Sequence, residues 1–116
     1  RFTVDRESGG LADRTVFVQM ERGSGYPDGM AIDDEDHVWV AMWGAAEVRR
    51  YRPDGSLAET ISVPTGQPSS VCLVGGDDPQ MFVTTAAEGL NDEFAGALFA
   101  MPSRVPARPA DAYRPV

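Results

Sequence analysis

The chain repeats itself, and the length of the repeat limits what it can become. Pro27-Asp28-Gly29-Met30-Ala31-Ile32 aligns with Pro68-Ser69-Ser70-Val71-Cys72-Leu73, an offset of 41 residues. His37–Trp43 (HVWVAMW) then falls on Gln80–Ala86 (QMFVTTA), an offset of 43. Glu47–Tyr51 (EVRRY) falls near Gly96–Met101 (GALFAM), where the added segment Glu88–Ala95 stretches the offset to about 50. The amino-terminal FTVDRESGGLADRTVFV overlays YRPDGSLAETISV, each a strand, an Asp/Gly turn and a strand. Within each unit, short alternating or apolar runs lie between Gly, Pro and Asp clusters, and helical periodicity is almost absent.

Strands are expected near Phe2–Asp5, Thr15–Met20, Gly29–Asp33, Val38–Met42, Val48–Arg52, Glu59–Val63, Ser70–Val74, Met81–Thr85 and Ala97–Met101. Short strands at this spacing suit a sandwich, a barrel or a propeller, and the repeat selects among them. Four strands in roughly 42 residues make one blade of a β-propeller. The expected fold is therefore all-β, with about two and a half blades in the chain. Residues 1–20 read as the end of one blade, 27–63 as a full blade and 68–102 as the next blade, three strands long. The Pro-rich stretch 103–116 reads as a terminal strap running extended over the surface. A blade buries its faces against neighbouring blades, and so few blades do not close a ring. The expectation is a carboxyl-terminal part of a longer protein, whose amino-terminal end supplies the missing fourth strand of the last blade.

Charge narrows the partners. Eighteen acidic against ten basic residues give a net charge of −8. Such a chain cannot neutralise a phosphate backbone, so neither nucleic acid nor an anionic membrane is an expected partner. No apolar run approaches the ~20 residues of a membrane helix. No signal peptide is visible, although the chain starts at Arg1, without methionine and inside an expected strand; the expected compartment is the cytoplasm. The single cysteine, Cys72, excludes an internal disulfide and a zinc ribbon. In Val71-Cys72-Leu73-Val74 it reads as a core residue. The lone His37 reads as a solvated turn residue with no nucleophile paired to it.

Two turns are explicit. Pro53-Asp54-Gly55 forms a hairpin connection, with proline fixing φ and glycine free to take φ > 0. Asp34-Glu35-Asp36-His37 forms another without glycine, because aspartate tolerates the left-handed region better than most residues. Pro27-Asp28-Gly29 is the candidate for chemistry. In a propeller, the loop entering each innermost strand lies at the mouth of the central channel. Proline fixes the approach there and Gly29 permits a close one, so the Asp28 carboxylate can be aimed at the axis. Ser69 holds the equivalent place in the next blade and is a weaker ligand. Composition alone favours an ordinary turn aspartate. Among the nearby rings, Trp39 alternates with Val38 and Val40 as a core residue, and Tyr26 adjoins Asp28 at the pocket mouth. Thr84 and Thr85 read as strand residues.

The string PDGMAIDDEDHVWVAMWGAAEVRRYRPDG resembles the regucalcin (senescence marker protein), gluconolactonase and luciferin-regenerating-enzyme family. FVTTA (Phe82–Ala86) after VGGDD (Val74–Asp78), and AGALFAM (Ala95–Met101), are similar to later segments of the same family. The likeness runs from about Phe2 to Tyr113. It implies a six-bladed propeller, one divalent cation on the axis (calcium or zinc, with magnesium or manganese also compatible) and hydrolysis of sugar lactones. It further implies that Asp28 is a metal ligand and the general base. The family's other ligands, a Glu and two Asn from earlier blades, have no counterpart motif in this chain. Asn91 is its only asparagine and lies in the Glu88–Ala95 loop. One carboxylate cannot satisfy a hard cation, so these 116 residues alone are expected to be inactive. The competing reading is a propeller that binds or scaffolds without chemistry, since a fold does not assign a function.

Overall fold

The computed structural model of the chain describes residues 1–109. All its ladders are antiparallel. The strands are β1 (Thr3–Val4), β2 (Leu11–Ala12), β3 (Tyr26–Ile32), β4 (Val38–Trp43), β5 (Glu47–Tyr51), β6 (Leu57–Ser62), β7 (Pro68–Val74), β8 (Gln80–Thr85) and β9 (Leu98–Pro102). They form a two-stranded sheet β1-β2, a four-stranded sheet β3-β4-β5-β6 and a three-stranded sheet β7-β8-β9. Among the described residues, no helix is long and apolar enough to cross a membrane.

The two larger sheets pack face to face because the period of two puts one apolar row of each on the shared side. From β7 and β8 come Val71, Leu73, Met81 and Val83; from the four-stranded sheet come Trp39 and Val48, joined by Val63 just beyond β6. Fully burying such a side chain is worth roughly 1.5–3 kcal/mol, so this one layer accounts for most of the cohesion between the sheets. The opposite face of the four-stranded sheet carries Val40, Met42 and Tyr51, and Phe17, Val18 and Met20 cover it. Strand β4 is thus enclosed on both sides, which explains its unbroken apolar run Val38–Trp43.

The predicted turns form as read. Gly55 takes φ +88° and donates its N–H to the Arg52 carbonyl, while Asp54 Oδ1 accepts the Ser56 N–H at 2.8 Å. Asp36 takes φ +60° in the glycine-free turn. At that same end of the sheets the chain from Ser103 to Arg108 crosses both blades. Ser103 N–H donates to Pro79 O at 2.8 Å, Asp34 N–H donates to Pro106 O at 3.3 Å, and Ala107 forms a β-bridge with Asp33. Arg108 pairs with Asp36 at 3.0 Å, and Val105 and Ala107 pack on the shared core. The remainder of the expected strap, 110–116, lies outside the described residues.

Three expectations are corrected. Thr15–Met20 is not a strand: Phe17, Val18 and Met20 pack on Val40, Met42 and Tyr51, but among the described residues no neighbouring strand offers it a ladder, and β2 forms at Leu11–Ala12 instead. Cys72 is exposed, because the alternation that buries Val71 and Leu73 turns the residue between them to the other face. His37 is largely covered, its backbone N–H bonded to Asp33 and its ring beside the carboxylates of Asp33 and Glu35.

Candidate functional site: the bulged innermost strands

Strands β3 and β7, the first of each large sheet, lie against each other, as the innermost strands of adjacent propeller blades do. Both start at the same end, since the Gly44 N–H in the loop after β4 donates to the Gly66 carbonyl just before β7. Each is interrupted by a bulge at the same place. In β3 the register shifts between Pro27 and Met30, and in β7 between Pro68 and Ser70. A bulge leaves residues unpaired and redirects their side chains. Asp28 therefore lies inside β3, not in the loop before it. The strand accepts Pro27 because an edge strand has one side without a ladder.

Gly29 explains how the two strands come together. A Cβ built there would stand 2.6 Å from Ser70 Cβ and 2.7 Å from Ser70 Cα. Only glycine lets the backbones touch at this point. The contact joins β3 and β7 at their two bulges, where Asp28 and Ser69 are the residues that precede it in each strand. The Ser69 hydroxyl is 2.9 Å from that of Thr84 in β8. Tyr26, 75% exposed, stands at the entry to β3.

The behaviour of the turn aspartates defines Asp28 by contrast. Asp5 accepts the Glu7 N–H, Asp54 that of Ser56 and Asp92 that of Phe94, each folding its carboxylate back on its own turn. For Asp5, the Ser8 hydroxyl and the amides of Glu7 and Ser8 hold the carboxyl below its ordinary pKa. Asp28 is exposed and, among the described residues, takes part in no such bond and in no ion pair. It is not a turn former. Asn91 is exposed in the loop between β8 and β9. Among the described residues, no group of three His, Cys, Asp or Glu side chains is arranged to hold a metal ion.

Sequence reading missed the carboxylate with the fullest set of partners. Asp33, fully buried, sits at the far end of β3 from Asp28. Its Oδ1 accepts the amides of Glu35 and His37, both at 3.0 Å; its Oδ2 accepts Trp39 Nε1 at 2.9 Å and Arg50 Nε at 2.8 Å. Burial pushes its pKa up, but the His37 amide, Arg50 and Trp39 outweigh that and hold it below the usual carboxylate value. Burial likewise works against the Arg50 charge, and the Glu35 and Asp33 carboxylates more than restore it. Arg50 also lies over the Trp39 ring, 5.4 Å from its centroid. With every lone-pair direction taken by a donor, Asp33 ties β3, β4 and β5 together and has none left for a substrate proton. Its only sequence signal is the Asp ahead of an alternating Trp strand, hidden in an acidic turn.

The fold and this rim define a class: successive β-propeller blades whose innermost strands bulge beside an unengaged carboxylate. The comparisons with known proteins agree. Residues 1–87 match the family model described as SMP-30/Gluconolactonase/LRE-like region, and the chain belongs to that family. The chain is 35% identical over 119 aligned positions to the pentonolactonase of Haloferax volcanii, covering 94% of this chain and 41% of that protein. It is 36% identical to the L-arabinolactonase of Azospirillum brasilense, covering 89% of this chain and 36% of that protein. It superposes on the structure of a calcium-binding protein, regucalcin, from Agrobacterium tumefaciens with a TM-score of 0.83 and 30% identity, over 97% of this chain and 41% of that one. The chain thus spans about two fifths of the length of the relatives it matches.

Proposed function

We propose that this chain contributes the Asp28-bearing blades of a divalent-cation-dependent enzyme that hydrolyses sugar lactones. The observation that carries the reading is the Asp28 carboxylate, raised on a bulge of the innermost strand and spent on no internal partner. The lactonase names among the relatives set the substrate class. A carboxylate is a hard oxygen donor compatible with calcium, magnesium, manganese and zinc, and the likeness to regucalcin, a calcium-binding protein, favours calcium. Asp28 supplies one side-chain donor and Ser69 at most a weak second, below the six to eight oxygens that calcium takes. In this reading the other ligands come from residues outside these 116, and the 116 residues alone are inactive.

The cation, when bound, polarises a carbonyl oxygen and acidifies water. Asp28 orients the attacking water and accepts its proton as the new C–O bond forms at the lactone carbonyl. That proton then passes to the ring oxygen as the old ester bond breaks, so one water is consumed and an aldonic acid is released. Asp28 needs no covalent bond to substrate at any point. The adjoining Tyr26 lines the mouth.

The test is lactone hydrolysis by the intact protein that carries this chain, before and after chelation and with Asp28→Asn. General-base loss should lower turnover by roughly 10²–10⁴-fold, and bound metal measured by elemental analysis should fall. Folding should be unchanged, because the carboxylate makes no structural bond. Parent-like turnover and metal content in the variant would remove Asp28 from the site and favour a scaffolding propeller.

A further inference from the structure

We infer that the cleft between the two large sheets, at the end away from Asp28, binds a small zwitterion with an apolar side chain, of the α-amino acid class. The cleft is a cavity of about 430 Å³, within the size range of small-molecule sites. Register places its walls. Trp39, Arg50 and Glu59 are successive cross-strand partners on β4, β5 and β6, so they form one row on one face of the sheet. Trp39 belongs to the shared core, which turns that row toward the second sheet. Met81 and Met101, themselves register partners on β8 and β9, line the opposite wall with Ile61 beside them. Ser103, Arg104 and Val105 of the crossing segment line the cleft at the end where Asp33 lies.

Charge selects the ligand. Arg50 and Glu59 are direct cross-strand partners of opposite sign, yet they form no ion pair. Arg50 is drawn instead to Asp33 and Glu35 through Nε and Nη2. Its Nη1 keeps two N–H donors without a partner among the described residues. The half-buried Glu59 carboxylate has neither a hydrogen bond nor an ion pair among the described residues, and the same holds for the exposed Arg104. Leaving a charge partly desolvated and unpaired is costly, and here a cavity lies in front of it. A pure anion in the cleft would meet Glu59, and a pure cation would meet Arg50 and Arg104. A molecule carrying both signs satisfies all three, with its ammonium on Glu59 and its carboxylate on Arg50 Nη1 and Arg104. The thioethers of Met81 and Met101 offer its side chain an adaptable apolar wall.

The experiment is calorimetric titration of the intact protein that carries this chain with three probes of one shape: L-leucine, 3-methylbutylamine, which lacks the carboxylate, and 4-methylpentanoate, which lacks the ammonium. One charge-assisted hydrogen bond corresponds to about 10–100-fold in affinity. L-Leucine should bind saturably, and each one-charge analogue should bind more weakly by that factor. Glu59→Gln should weaken L-leucine by the same factor and leave 4-methylpentanoate no weaker. Arg104→Gln should weaken L-leucine and leave 3-methylbutylamine no weaker. Both variants should keep the ligand-free melting temperature near the parent value, because neither side chain has an internal partner. No saturable heat with L-leucine, equal affinity for the three probes, or an unchanged L-leucine affinity in Glu59→Gln would overturn the site, and each of these results leaves the lactonase reading at Asp28 untouched.

Discussion

Replacing Asp33 by asparagine is a nearly isosteric change with a calculable cost. The carboxylate offers only acceptors, and it faces only donors: two amides on Oδ1, the Trp39 indole and Arg50 Nε on Oδ2. Asparagine keeps one oxygen and turns the other into an NH₂ group. In either orientation two donors meet a donor and are orphaned. Each orphaned buried group costs about 1–3 kcal/mol. Arg50 additionally loses a charge partner 2.6 Å away. It keeps Glu35 at 2.7 Å, but Glu35 is 56% exposed and that pair is screened by water. Allowing for relaxation, Asp33→Asn should destabilise by about 2–4 kcal/mol. Equilibrium urea unfolding, followed by the fluorescence of Trp39, should show a lower midpoint with an unchanged slope. The pH dependence supplies a second readout. Because the folded pKa lies below the unfolded one, the unfolded chain binds more protons between the two values, and stability rises with pH across that window. The contribution is complete above about pH 4 and is lost as pH falls through the folded value. Asp33→Asn should flatten that acid limb. A midpoint shift worth less than about 0.5 kcal/mol, within the range of ordinary surface changes, would refute this account of the network.

Other perturbations follow the same logic. Gly29→Ala should separate β3 from β7 at a cost of about 1–3 kcal/mol, and adding Ser70→Gly should recover part of the melting temperature by removing the side chain that the new methyl meets. Met81→Ala, at a core position 1% exposed, should cost about 2–5 kcal/mol in denaturant unfolding. Arg108→Ala should change stability by less than about 0.5 kcal/mol, since its ion pair with Asp36 is exposed on both sides.

The repeat made most of the fold legible, because blade strands are short, local and punctuated by glycine, proline and aspartate. Its failures have physical causes. Thr15–Met20 has the composition of a strand, but a strand exists only where another offers it a ladder. Cys72 lies in an apolar run, yet in a strand the alternation decides which face a residue takes. Asp33 disappears among Asp34, Glu35 and Asp36, which compose an ordinary solvated turn; only the folded chain shows one of the four turned inward to Trp39 and Arg50. Asp28 was legible as a position through its Pro-Asp-Gly setting. Its placement within the strand was not, because a bulge follows from the mismatch of two strands and not from the residues of one.

The crossing segment Ser103–Arg108 bears on how the two large sheets breathe. It is stitched to the β7–β8 connection through Pro79 and to the β3–β4 connection through Asp34 and Asp33. For the four-stranded sheet to swing away, the Asp33 and Asp34 contacts must open, while the Ser103–Pro79 bond, which continues the β8–β9 ladder, can stay closed. The Asp34 amide proton reports on the seam between the floors of the two blades, and it should exchange with solvent faster than that of Ser103, which is released only when the β8–β9 ladder itself frays.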